Sequence, residues 1–176
     1  MGAQSAFGRR QVTPGLLRSA LGYLADRVAG RLRAAERAGR TITVRVRFPG
    51  LRSVTRSVTL PAPISTTLTL TEIAMQLAGV ALADHPREEE ITLLAVSVSH
   101  LVDEAALQLE LPLGLCDDRH RPGTATGSAR WALDRAVDSI RARFGRDAVG
   151  YATVVFSNLG RVPEEFRELA EGQVTS

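Results

Sequence analysis

Apolar residues recur at spacings of three and four near the start of the chain. Leu17, Leu21, Leu24, Val28 and Leu32 form one stripe and predict a helix over about residues 14–37. Thr13-Pro14 reads as an N-cap followed by proline in the first helical position. Gly39 is placed to stop the helix. Residues 41–48 then switch to strict alternation. Ile42, Val44, Val46 and Phe48 point one way, and Thr41, Thr43, Arg45 and Arg47 the other, which predicts a strand with one buried face. Pro49-Gly50 marks a turn. Ser53 to Leu60 is a second strand rich in β-branched residues, so the pair reads as an antiparallel hairpin.

Pro61 and Pro63 break that pattern. Thr69 with Glu72 has the spacing of a capping box, and Ile73, Leu77, Val80 and Ala81 predict a helix over 68–83. Asp84-His85-Pro86 ends it. Ile91 to Val98 is a near-continuous apolar run, suited to an inner strand. A short strand around Ser5 to Arg9 would bring the sheet to four strands. The predicted fold class is therefore α+β: a two-layer sandwich, with a four-stranded sheet backed by two helices.

Three units are expected: a domain over 1–101, a Gly-, Pro- and charge-rich linker within 102–128, and a small helix–strand extension over 129–176. In the extension, Leu133, Val137, Ile140 and Phe144 form a helical stripe closed by Gly145. Residues 149–156 read as a strand, and 163–170 as a last helical turn or two.

Charge divides the chain. Residues 1–60 carry 12 arginines against Asp26 and Glu36, whereas residues 61–176 carry 10 arginines against 17 acids. All the basic residues are arginines. A basic half of this kind points to a polyanion, and guanidinium groups fork onto phosphate oxygens. The one cysteine, Cys116, excludes an internal disulfide framework and suits the cytoplasm, where we expect the protein to act. No stretch is long and apolar enough to predict a membrane span.

Candidate chemistry is sparse. His85, His100 and His120 are scattered. Cys116, Asp117, Asp118 and His120 crowd together in the expected linker, where a solvated loop is favoured over a metal site. No phosphate-cradling glycine loop is present. No catalytic residue, metal, cofactor or small-molecule substrate is expected. The hairpin instead displays Arg45 and Arg47 beside Ser53, Thr55, Ser57 and Thr59. Arg56 interrupts the inward pair Val54 and Val58, so it is expected to escape to solvent or to a phosphate. On pattern alone this face suits backbone phosphates or is an ordinary solvent face.

Gly39 to Phe48, followed by Ser53 to Pro61, resembles the little-finger domain of DinB-class, polymerase IV-like Y-family DNA polymerases. Val28 to Arg33, Leu94 to Leu101 and Ser5 to Arg9 fit the same pattern in order. The resemblance covers about residues 4–101. It implies a sheet that lies along the DNA major groove and grips backbone phosphates, with Arg45, Arg47, Thr55, Arg56 and Ser57 in that role. Gln108-Leu109-Glu110-Leu111-Pro112-Leu113 resembles the peptide by which bacterial proteins bind the sliding clamp. Leu111 and Leu113 would fill an apolar pocket, Gln108 would hydrogen-bond its rim and Pro112 would restrict the free chain, with Leu109 completing the pattern. The carboxylates of the family's palm have no counterpart here, so the resemblance implies no polymerase activity by this chain alone. Two other readings stay open: a protein-interaction module, or a fragment of a split or truncated lesion-bypass polymerase.

Overall fold

The computed structural model describes residues 1–103 and 125–151. The chain runs β1 (Gly2–Gln11), α1 (Pro14–Ala34), β2 (Arg37–Arg47), β3 (Ser53–Ile64), α2 (Thr67–Ala83), β4 (Glu90–Asp103) and α3 (Ala125–Phe144). The strands form one antiparallel sheet in the order β1-β4-β2-β3. Ile42, Val44 and Val46 of β2 and Leu94, Val96 and Val98 of β4 pack against Leu17, Leu21, Leu24, Val28 and Leu32 of α1 and Leu70, Ile73 and Ala78 of α2. Both helices therefore cover one face, giving the expected two-layer α+β sandwich. The stripe predicted for α1 is its buried face. The Thr13 hydroxyl accepts the Leu16 amide at 3.2 Å, as an N-cap does.

Four local expectations are corrected. The first helix stops at Ala34, and the left-handed backbone of Glu36 (φ 52°) turns the chain into β2. Gly39 lies inside β2 instead of ending the helix. A Cβ there would stand 2.3 Å from the Val98 Cγ1, so glycine is needed for the close approach of β4. β3 continues to Ile64 through Pro61 and Pro63. It is an edge strand, where a missing amide hydrogen costs no ladder bond.

The capping box expected at α2 does not form. The helix begins at Thr67, and the Thr66 side chain makes no cap bond. Thr69 and Glu72 instead receive Arg130 of α3 at 3.1 and 2.7–2.8 Å. The Thr67 amide is met from across the fold by the Asp134 carboxylate, at 2.8 Å.

The fourth correction concerns α3, which begins at Ala125, within the expected linker, and packs against the helix layer. Of its predicted stripe only Val137 is buried; Leu133, Ile140 and Phe144 are exposed. The docking face is the neighbouring polar stripe, Arg130, Asp134, Asp138 and Arg141. Each of these meets an oppositely charged residue of α1 or α2, and those charged partners set the helix rotation. The strand expected over 149–156 falls mostly outside the described residues, and the helical turn at 163–170 wholly so. No described helix is long and apolar enough to cross a membrane.

Candidate nucleic-acid interface

The sheet face opposite the helices is read directly from the ladder register, because residues paired across strands share a face. Arg45 stands between Ala95 and Thr55, and Ala95 pairs on with Gln4. Thr43 stands between Ser97 and Ser57, and Ser97 pairs with Gly2. Thr41 stands between Ser99 and Thr59. Arg47 stands between Leu93 and Ser53, and Leu93 pairs with Ala6. These four rows carry hydroxyls, small side chains and two guanidinium groups, and no carboxylate. Ser53, Thr55, Ser57 and Thr59 are exposed, so their hydroxyls meet solvent.

The two arginines differ. Arg45 is exposed and has no carboxylate partner among the described residues. Arg47 is half-buried, and its Nε is enclosed with no hydrogen-bond partner among the described residues. Its neighbour Leu93 is only 7% exposed although it stands on the helix-free face. The apolar stem of an arginine covers such a neighbour while its charged end stays available.

The face is partly ordered from within. The Thr41 hydroxyl lies 2.9 Å from the Thr59 hydroxyl and 2.8 Å from the His100 Nδ1. His100 has left-handed backbone (φ 51°) inside β4, which aims its ring across the strands at Thr41. Sequence reasoning passed over His100, because nothing in its neighbours signals a positive φ. It also left Gln4 and Ser97 unmarked, since their place follows only from the order β1-β4-β2.

Arg45, Arg47, Thr55 and Ser57 of the sequence-derived set are brought together on this face. Arg56 is not, which corrects the expectation that it joins them. It pairs in register with Val44, whose side chain lies in the core, so Arg56 leaves the sheet on the helix side. Because β3 is an edge strand, it curls outward, and its guanidinium bonds the Asp84 carboxylate at the end of α2. Its charge is balanced there, away from the open face. The clamp-type peptide Gln108, Leu109, Leu111, Pro112 and Leu113 lies outside the described residues, as does the cluster from Cys116 to His120.

Fold and face together define an α+β module whose four central ladder rows present arginines and hydroxyls and no carboxylate among the described residues. The chain belongs to the impB/mucB/samB family C-terminal domain, whose model matches residues 1–111 and which is the little finger of Y-family DNA polymerases. It is 57% identical over 173 residues, 98% of its length, to "DNA polymerase IV 2" of Mesorhizobium japonicum. It is 35% identical over 133 residues, 76% of its length, to "DNA polymerase IV" of Desulfatibacillum aliphaticivorans. The chain spans 42% and 31% of these two relatives. Among solved structures, a Dbh ternary complex is 13% identical with a TM-score of 0.47, over 58% of this chain and 28% of that one.

Proposed function

We propose that this chain is the DNA-gripping part of a polymerase IV-like, lesion-bypass system in the cytoplasm, and that it holds duplex DNA by its backbone without reading sequence. The observation that supports this reading is that Arg45 and Arg47 share one sheet face with Thr43, Thr55 and Ser57, in paired rows that carry no carboxylate. Exposed guanidinium groups neutralise phosphates, and hydroxyls donate to phosphate oxygens. None of these side chains is set to discriminate base edges. The chain itself is read as non-catalytic; the nucleotidyl-transfer chemistry belongs to the catalytic portion with which it works.

The second half of the proposal is a tether. Gln108 to Leu113 resembles a clamp-binding peptide and lies at the end of the little-finger match, so one surface holds DNA while the adjoining segment holds the ring that encircles it. Joining two weak contacts raises the effective concentration of each partner.

Fluorescence anisotropy with labelled duplex DNA tests the grip. The expected Kd is on the order of 10⁻⁴ to 10⁻⁶ M, nearly equal for unrelated sequences and weakening steeply with salt. Binding that is absent at low ionic strength, or indifferent to salt, rejects it. Clamp pull-down by the Leu111→Ala, Leu113→Ala variant tests the tether: capture is lost if the peptide carries it and unchanged if it does not.

A further inference from the structure

The contact of α3 with the rest of the fold is unusual in its chemistry. Arg33 of α1 is buried and grips Asp138 with two bonds, Nε to Oδ2 at 2.6 Å and Nη2 to Oδ1 at 3.0 Å. Its Nη1 lies 3.2 Å from the buried Asp134 carboxylate and also donates to the Ser65 carbonyl and the Thr67 hydroxyl. Arg141 reaches Asp26 at 2.9 Å, and Arg130 takes Glu72 with two bonds. The Tyr151 hydroxyl donates to the second oxygen of Asp134. The seam thus runs along α3 at positions 130, 134, 138 and 141, spaced by four, four and three residues.

Apolar packing contributes little. The buried hydrophobic core is built from residues of β2–β4, α1 and α2, with Ala3 and Phe7 of β1 packed against it, and it contains no described residue of α3. Val137 is the buried apolar side chain of α3, while Leu133, Ile140 and Phe144 face away. Glu72 and Asp138 are partly exposed at 44% and 33%, so salt and water reach the seam from its edges. Burial alone would lower the pKa of Arg33, but the bond to Asp138 and the charge of Asp134 outweigh it and keep the guanidinium charged.

We infer that α3 is a latch, which docks on and releases from the α1–α2 layer as a unit, held by charge pairing, while the sheet and its two helices stay folded. Release takes the covering carboxylates away with the helix. Arg33 and the Thr67 amide then return to water and are not left buried without partners.

Native-state hydrogen exchange on the full chain, without DNA or clamp, tests the latch. Amides of α3 are expected to exchange through an opening that β2 and β4 do not share, with protection lower by about tenfold or more. That protection falls further between about 0.05 M and about 1 M salt. Asp134→Asn removes it, and Arg130→Gln at the half-exposed end weakens it, with β2 and β4 unaffected in both. Equal protection of α3 and β2, or an Asp134→Asn chain in which both are lost together, would make α3 part of the cooperative core and overturn the inference. So would unchanged α3 protection in both variants.

Discussion

Arg45 stands directly opposite Thr55 across the β2–β3 ladder, on the face that no helix covers. The pair joins a long, mobile charge to a short, fixed hydroxyl. The charge acts over a distance and is weakened by salt, whereas the hydroxyl acts only in contact. If this face holds DNA as proposed, the two contributions are separable.

Thr55→Val with Ser57→Ala keeps the shape of β3 and removes two exposed hydroxyls. Affinity for duplex DNA at fixed salt is expected to drop by about 0.5–1.5 kcal/mol for each lost hydrogen bond, while its dependence on salt concentration is unchanged. Anisotropy titrations at several salt concentrations measure both quantities. A changed salt dependence would mean that the hydroxyls order the arginines and do not bind phosphate themselves.

Arg56→Ala removes an ion pair whose members are 35% and 48% exposed. Such pairs are strongly screened, so the loss of stability is expected to stay within about 0.2–1 kcal/mol. Urea denaturation measures it. DNA affinity should remain within about twofold of the parent, since the side chain sits on the helix side of the sheet.

Gly39→Ala places a methyl group 2.3 Å from the Val98 Cγ1, between two central strands. The expected destabilisation is about 1–3 kcal/mol, the usual range for overpacking. A lower urea midpoint with an unchanged slope would show it. A neutral result would mean that β2 and β4 separate easily at this point.

Tyr151 has its pKa pushed above the ordinary value of 10.0, first by burial and then by its bond to Asp134. The neutral hydroxyl is the form the docked state favours. Its contribution is fully present below pH 10 and is lost as the pH rises from 10 through the folded-state pKa. Ultraviolet titration in a Tyr23→Phe background should give a midpoint above 10, and adding Asp134→Asn should bring it back toward 10. A parent midpoint at the ordinary value would show that the hydroxyl is solvated.

Much of this architecture could be read from side-chain periodicity. The alternation of Thr41 to Phe48 announces which way Arg45 and Arg47 point, and the Leu17 to Leu32 stripe marks the buried side of α1. These readings hold because one dominant core decides both. What eluded the sequence depends on contacts between distant residues. Alternation put Arg56 on the inward side, but its partner there, Asp84 at the end of α2, lies 28 residues away and has no local signal. Gly39 resembled a helix stop because its crowding against Val98 joins residues far apart in the chain. The rotation of α3 could not be inferred from its apolar stripe, because buried ion pairs to Arg33 and Asp26 set it. Asp134 as a cap for α2 has no local signal at all.

On the proposed reading, the helix-free face grips phosphate through Arg45 and Arg47. The most direct measurement of that grip is the slope of log affinity against log salt for the parent, for Arg45→Ala with Arg47→Ala, and for Arg56→Ala as a control. Each phosphate contact adds about 0.9 to the magnitude of that slope on duplex DNA. The double variant should lose close to two contacts' worth, about 1.8, and the control should match the parent. If the double variant keeps the parental slope, or if Arg56→Ala loses as much as the double variant does, the open face is not where DNA is held.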